Sequence, residues 1–158
     1  MQPDTLFFAL GSAFGGLAVA LGAFGTHALR ARLSPEMLAN FETGVRYQFY
    51  HALACFAVAL AAGRWMGSNL APLTVVAGTL FVAGMILFCG TLYVIALGGP
   101  RGLGMIAPIG GLLLVAGWLC LLMLPVLPAR PANVAPATSP VIVATVTPGP
   151  VAPTVASP

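Results

Sequence analysis

Two histidines and their polar neighbours are the residues of this sequence whose types and spacing could do chemistry. His27 lies about one turn before the end of a long apolar stretch, and His51 lies about one turn into the next. Tyr47 and Gln48 precede His51 by four and three residues, so in a helix they share its face. Ionisable groups inside apolar segments are costly unless paired, and they indicate function by default. The predicted polar cluster comprises His27, Glu42, Arg46, Tyr47, Gln48 and His51.

Three interpretations of the histidines follow from their chemistry. Two histidines on adjacent helices could ligate a metal or a haem. They could instead contact a substrate or a lipid headgroup, or each could donate to a carbonyl group and fix a helix end. In a regular helix His27 points roughly opposite to Gly25, which argues against one site shared by His27 and His51. The sequence therefore favours structural pairing, and we expect neither a metal nor another cofactor.

Other catalytic patterns are missing from the sequence. The apolar stretches contain no Asp or Glu, whereas a proton-coupled multidrug exporter of four helices needs a membrane-embedded carboxylate. A glycine-rich phosphate loop, a nucleophile with an evident base and an HExxH motif are also missing. The three cysteines, Cys55, Cys89 and Cys120, lie in apolar runs without metal-ligand spacing, so we interpret them as packing groups. We expect that the protein is not an enzyme.

The composition indicates that lipid surrounds most of the chain. Of 158 residues, 59% are hydrophobic and only 6% are charged, and the mean hydropathy is +1.02. A water-soluble domain needs roughly a quarter of its residues charged. The arginines are scattered rather than clustered, which excludes a basic surface for nucleic acid. The expected partner is the lipid bilayer.

The elements that must position the polar cluster are apolar helices. Ser34-Pro35-Glu36 has the residue types of a helix start and predicts a short interfacial helix at about 35–46 that runs directly into the second span. Glu42 precedes Arg46 by four residues, the order that favours an ion pair. The predicted fold is an all-α integral membrane bundle of four transmembrane helices within residues 1–127. The predicted spans are residues 6–29, 47–63, 73–97 and 108–127.

Residues 128–158 form a low-complexity tail rich in Pro, Ala, Val and Thr, and the sequence predicts that this tail is disordered. Four spans place both termini on one side of the membrane. The loops on the opposite side hold more arginines, so we expect them in the cytoplasm of a bacterium, with both termini outside the inner membrane. The arginines on that side are Arg30, Arg32, Arg46 and Arg101, against Arg64 and Arg130 on the other.

Small residues line one face of the first span. They follow one another at steps of four and three, which lets another helix approach closely. One interpretation is tight packing within the four-helix bundle, and the other is an interface between copies of the chain. This seam consists of Gly11, Gly15, Ala18, Gly22 and Gly25.

Four ordered segments resemble the small bacterial and eukaryotic membrane proteins of the family called domain of unknown function 423. The resemblance covers about Leu6 to Leu124 and implies a four-helix membrane fold in which His27 and His51 belong to the family pattern. It implies no activity, and the tail lies outside the usual family domain. The segments are GAFGTHAL (Gly22–Leu29), RYQFYHALA (Arg46–Ala54), AGTLFVAGMILFCGTLY (Ala77–Tyr93) and PIGGLLLVAGW (Pro108–Trp118).

Three function hypotheses remain at this level. The first is a structural or accessory membrane protein that packs against itself or a larger membrane complex through the seam. The second is a transporter or channel for a small solute, formed by a homo-oligomer, which the face of Tyr47, Gln48 and His51 motivates. The third, which the residues favour least, is an electron carrier with a bound cofactor.

Overall fold

The computed structural model describes residues 1–132, and the tail prediction for residues 133–158 lies outside this part of the chain. The described residues fold into four long helices, which confirms the all-α prediction. A π-helical turn (Gly25–Leu29) continues the first helix, and a 3-10 turn (Arg101–Met105) precedes the last. The helices are α1 (Pro3–Phe24), α2 (Pro35–Trp65), α3 (Ala71–Ala96) and α4 (Ala107–Val126).

Three segments are long and apolar enough to cross a membrane by length and composition. They are Pro3–Leu29, Ala71–Ala96 and Arg101–Val126, and they contain α1, α3 and α4. The fourth helix, α2, carries the polar residues Tyr47, Gln48 and His51 within its apolar half, which lowers its hydropathy. The chain is therefore a helical membrane protein with three strongly apolar helices and a more polar one.

The first turn of α2 explains why the helix begins where it does. Ser34 accepts a hydrogen bond from the backbone N–H of Met37 (3.3 Å), and Pro35 occupies the first helical position. From there α2 continues without a break for 31 residues, about 46 Å. Arg46 Nη2 donates to Thr43 Oγ1 (3.3 Å), a contact that replaces the ion pair with Glu42 that the sequence predicted.

The helices α2 and α3 form the centre of the molecule. The helix α1 packs mainly against α2, and α4 packs mainly against α3. Burial of apolar side chains at the contacts of all four helices produces one main core. This core includes Phe7, Cys55, Val58, Phe81, Met85 and Leu114.

A close helix contact between α3 and α4 depends on glycine. A Cβ atom at Gly110 would meet the backbone nitrogen of Phe88, which cannot move out of the way as a side chain can. A Cβ at Gly117 would lie 2.7 Å from the ring of Phe81. Small residues thus let the two backbones approach closely, so that dispersion contacts hold the helices together.

The predicted small-residue seam of α1 packs against α2 of the same chain. A Cβ atom on Gly11 would lie 2.9 Å from the carbonyl oxygen of Ala52, and one on Gly25 would lie 3.2 Å from the ring of Phe41. Ala18 is buried as well. These contacts favour the interpretation of the seam as tight packing within the four-helix bundle.

The first residues of the predicted tail are also ordered. The N–H of Arg130 donates to Asn69 Oδ1 (2.7 Å), and the N–H of Asn69 donates to the carbonyl of Arg130 (3.0 Å). The N–H of Ala132 donates to the carbonyl of Gly67 (3.0 Å). The prediction of disorder is wrong for residues 128–132, because the loop between α2 and α3 supplies partners for their backbone.

Candidate functional site

Gln48 lies in the contact of three helices. Its side chain is buried, and its Nε2 donates to the backbone carbonyl of Phe14 in α1 (2.9 Å). Its Oε1 accepts a hydrogen bond from the hydroxyl of Tyr93 in α3 (3.0 Å). One amide on α2 thereby links α2 to α1 and to α3, in a place where an unpaired polar group would be destabilising.

His51, one turn further along α2, faces α3 and α4. Its ring packs against the rings of Phe81 and Trp118, with centroid distances of 5.7 Å and 6.2 Å. The indole Nε1 of Trp118 lies 3.2 Å from His51 Nε2, and His51 Nδ1 lies 2.7 Å from the carbonyl oxygen of Tyr47. Both ring nitrogens therefore have partners within hydrogen-bond distance.

These two partners define the protonation state of His51. An indole N–H can only donate, so His51 Nε2 must accept and carry no proton. A carbonyl oxygen can only accept, so Nδ1 must carry the proton and donate to Tyr47. The geometry assigns the neutral imidazole with its proton on Nδ1, because an imidazolium would lose the hydrogen bond from Trp118.

A groove on the outer surface passes over this histidine. It has a volume of about 460 Å³ and lies between α2 and α4. Tyr47, Tyr50 and Trp118 line it with aromatic rings, and the side chains of α4 complete an apolar wall. Its lining is almost wholly apolar, so it suits a hydrocarbon chain better than a polar solute.

His27 does not share a site with His51. In the antiparallel pair of α1 and α2, Gly15 contacts Ala52 and Gly22 contacts Val45. His51 is therefore level with residues near Gly15, about 17 Å along the axis from His27 at 1.5 Å per residue. The side chain of His27 is exposed and lies on the π-helical turn that ends α1.

The structure divides the predicted polar cluster into an inner and an outer set. Gln48 and His51 are buried and hydrogen-bonded across helices, whereas the side chains of Glu42, Arg46 and Tyr47 are exposed. The inner set matches the structural-pairing interpretation. The side chains of the outer set line surface grooves, and only the backbone carbonyl of Tyr47 takes part in the hydrogen bonds of the inner set.

Sequence reasoning missed two side-chain partners of the inner set, Tyr93 and Trp118. Both come from helices that are distant in sequence from α2, so spacing within one helix could not reveal them. A signal was available, because aromatic side chains with one polar atom usually find a partner when that atom is buried. Tyr93 and Trp118 both lie within motifs that carried the family resemblance.

Possible metal ligands are scattered over the described residues. Within residues 1–132, three or more His, Cys, Asp or Glu side chains are nowhere grouped so that they could hold a metal ion. The cysteines Cys55, Cys89 and Cys120 are all free thiols, and the first two are buried. Every buried side-chain nitrogen or oxygen in the same residues has a hydrogen-bond partner.

One known protein family matches more than half of this chain. Residues 21–111, which include both histidines, match the family described as "Protein of unknown function (DUF423)". The chain belongs to the DUF423 family. A UPF0382 membrane protein of Staphylococcus haemolyticus is 40% identical over 119 residues, which cover 75% of this chain and 93% of that protein.

Other relatives of this DUF423 protein come from distant organisms. The UPF0382 membrane protein YwdK of Bacillus subtilis is 38% identical over 118 residues, covering 75% of this chain and 94% of YwdK. A UPF0382 membrane protein of Schizosaccharomyces pombe is 36% identical over 120 residues, covering 69% of this chain and 92% of its own. No solved structure matches the chain. The names of these relatives agree with the helical membrane fold described above.

Proposed function

We propose that this DUF423 protein is a structural or accessory membrane protein that acts through its outer surface. The observation that carries the proposal is that the buried polar side chains form hydrogen bonds within the bundle. Gln48 and His51 direct every polar side-chain atom to another helix or to their own backbone. A solute path needs polar groups that face an open space, and these groups face each other.

The outer helices have the surface that such a role requires. Only 17% of the apolar window of α1 and 22% of that of α4 is buried, against 39% for α3. Most of α1 and α4 therefore faces lipid or another membrane protein. A partner would pack on these faces by dispersion contacts, since lipid supplies no hydrophobic driving force between helices.

Reconstitution into sealed vesicles tests the proposal. We expect that vesicles with the protein release a trapped small solute no faster than protein-free vesicles. We also expect that a photo-reactive residue at exposed Leu119 or Leu122 of α4 cross-links to one protein of defined mass in native membranes. The matched control is the same residue at buried Leu124, which should give no such product.

A transporter formed by a homo-oligomer is the second candidate. The observation that favours it is the exposure of Tyr47 and Tyr50, which line the surface groove beside His51. Copies that meet along this face could enclose a path between them. Solute release that depends on the protein, and that Tyr47→Phe reduces, would support this candidate and contradict the accessory role.

The location that we propose is the inner membrane of a bacterium, with both termini outside the cytoplasm. Arg30, Arg32 and Arg101 lie in the two connections at one end of the bundle. Arg64 and Arg130 are at the other end. The bias of arginine toward cytoplasmic loops supports this orientation.

A further inference from the structure

A groove between α1 and α2 combines charged and apolar walls in one continuous surface. Its outer part, about 220 Å³, is lined by Thr26, Glu42 and Arg46 together with small residues of α1. Its inner part, about 470 Å³, is lined by Val19 and Phe49 together with other apolar groups. The two parts share Gly22, Val45 and Arg46, so they form one groove.

The two helices determine the order in which charged and apolar side chains line this groove. On α2, Glu42 is nearest to the end of the bundle, Arg46 is one turn deeper, and Phe49 lies about one further turn toward the centre. On α1, Thr26, Gly22 and Val19 follow the same direction because the helices are antiparallel. From the membrane surface inward, the groove therefore presents an anion, then a cation, then an apolar wall.

The charges in the groove are available to a ligand. Both Glu42 and Arg46 are exposed, and Arg46 donates to the hydroxyl of Thr43, which carries no charge. Arg46 lines the groove together with Gly22, which belongs to the uncharged stretch of α1. A charge at such a depth needs an opposite charge or water to stabilise it.

We propose that this groove binds a phospholipid with a zwitterionic headgroup that carries a primary ammonium, as in phosphatidylethanolamine. The ammonium lies outermost in such a lipid, the phosphate lies below it, and the acyl chains lie deepest. Glu42 accepts hydrogen bonds from the ammonium, and Arg46 donates to the phosphate oxygens, as guanidinium groups do with high geometric specificity. An acyl chain occupies the apolar part beside Val19 and Phe49.

The choice of this headgroup follows from the pair of charges. A purely anionic headgroup would satisfy Arg46 but would bring no cation to Glu42. A choline headgroup has the right charges, but its methylated nitrogen has no N–H to donate to a carboxylate. A primary ammonium has three donors. This inference goes beyond the accessory role and does not depend on it.

Lipid retention measures the proposal directly. The full-length protein is exchanged into mixed micelles with equal amounts of phosphatidylethanolamine, phosphatidylglycerol and phosphatidylcholine, and the bound lipids are counted by native mass spectrometry. We expect phosphatidylethanolamine to be retained about fivefold over each of the others, the ratio that about 1 kcal/mol provides. Equal retention of the three lipids overturns the proposal.

Substitutions separate the two charges. Glu42→Gln should abolish the preference for phosphatidylethanolamine over phosphatidylcholine, and Arg46→Gln should reduce the retention of all three lipids. Arg46→Lys keeps the charge and should restore binding, which distinguishes lost binding from lost folding. The matched controls, Glu36→Gln and Arg64→Gln, change charges outside the groove and should have no effect. An unchanged preference in Glu42→Gln, or an unchanged retention of the lipids in Arg46→Gln, overturns the proposal, whatever the result of the solute-release assay.

Discussion

The indole nitrogen of Trp118 on α4 donates a hydrogen bond of 3.2 Å to Nε2 of His51 on α2. This contact joins two helices that each pack against α3 far more than against each other. It also determines which nitrogen of His51 carries the proton. The same imidazole therefore reports on the packing of α4 against α2.

A double-mutant cycle measures this contact. Trp118→Phe and His51→Leu should each lower the free energy of unfolding. The double variant should lose less than the sum of the two single losses. We expect a coupling energy of roughly 0.6 to 1.7 kcal/mol, which extends from the average to the largest value for hydrogen bonds between membrane helices. Unfolding by a denaturing detergent provides the free energies. The control is Tyr50→Phe, because the side chain of Tyr50 is exposed. Strictly additive losses for the His51 and Trp118 substitutions would contradict the contact.

Gln48 should have a larger effect because it bonds to two helices. Gln48→Leu removes the hydrogen bonds to the Phe14 carbonyl and from the Tyr93 hydroxyl. We expect a loss of roughly 1–3 kcal/mol in the free energy of unfolding. Tyr93→Phe removes one of these bonds and should have the smaller effect. If Gln48→Leu is as stable as the parent protein, Gln48 does not hold the helices together.

The α3–α4 contact offers two adjacent glycines as a matched pair. At Gly110 a methyl group would meet the backbone of Phe88, whereas at Gly111 it would lie 3.8 Å from the ring of the same residue. Gly110→Ala should destabilise the protein by about 1–3 kcal/mol, the usual range for overpacking. Gly111→Ala should have little effect. Equal thermal stability of the two variants would show that the helices are further apart than described.

The number of membrane crossings decides whether α2 spans the bilayer. With four crossings both termini lie on the same side, and with three they lie on opposite sides. Cysteines introduced at Gln2 and Arg130 should react equally with a membrane-impermeant reagent added outside intact cells. A cysteine at Arg32 should react only after the membrane is opened. Labelling of Gln2 and Arg130 on different sides would contradict the four-helix topology.

The sequence predicted the helices well because their signals are local. Ser34 and Pro35 start α2 through hydrogen bonds and dihedral angles within one turn, and long uncharged runs can only be helical in lipid. The sequence also found Gln48 and His51, since polar residues in an apolar run are conspicuous. It could not assign the partners of these two residues, because Tyr93 and Trp118 are brought to α2 only by packing.

The same reason explains why the sequence left two interpretations of the small-residue seam open. The spacing from Gly11 to Gly25 shows that a backbone can approach α1, but spacing does not say whose backbone this is. The decisive information is the contact of Gly11 with Ala52 of α2, which is a tertiary contact. The tail residues near Arg130 were misjudged similarly, because their partners lie in a loop sixty residues away in sequence.

The polar groups of α2 link this helix to the other three through hydrogen bonds. Nitrogen-15 NMR of His51 in lipid vesicles at neutral pH tests this claim most directly. We predict a neutral ring, with a proton on Nδ1 and none on Nε2, and no magnetisation transfer from water to the ring. An imidazolium, the other tautomer, or a strong contact between water and His51 would contradict the account.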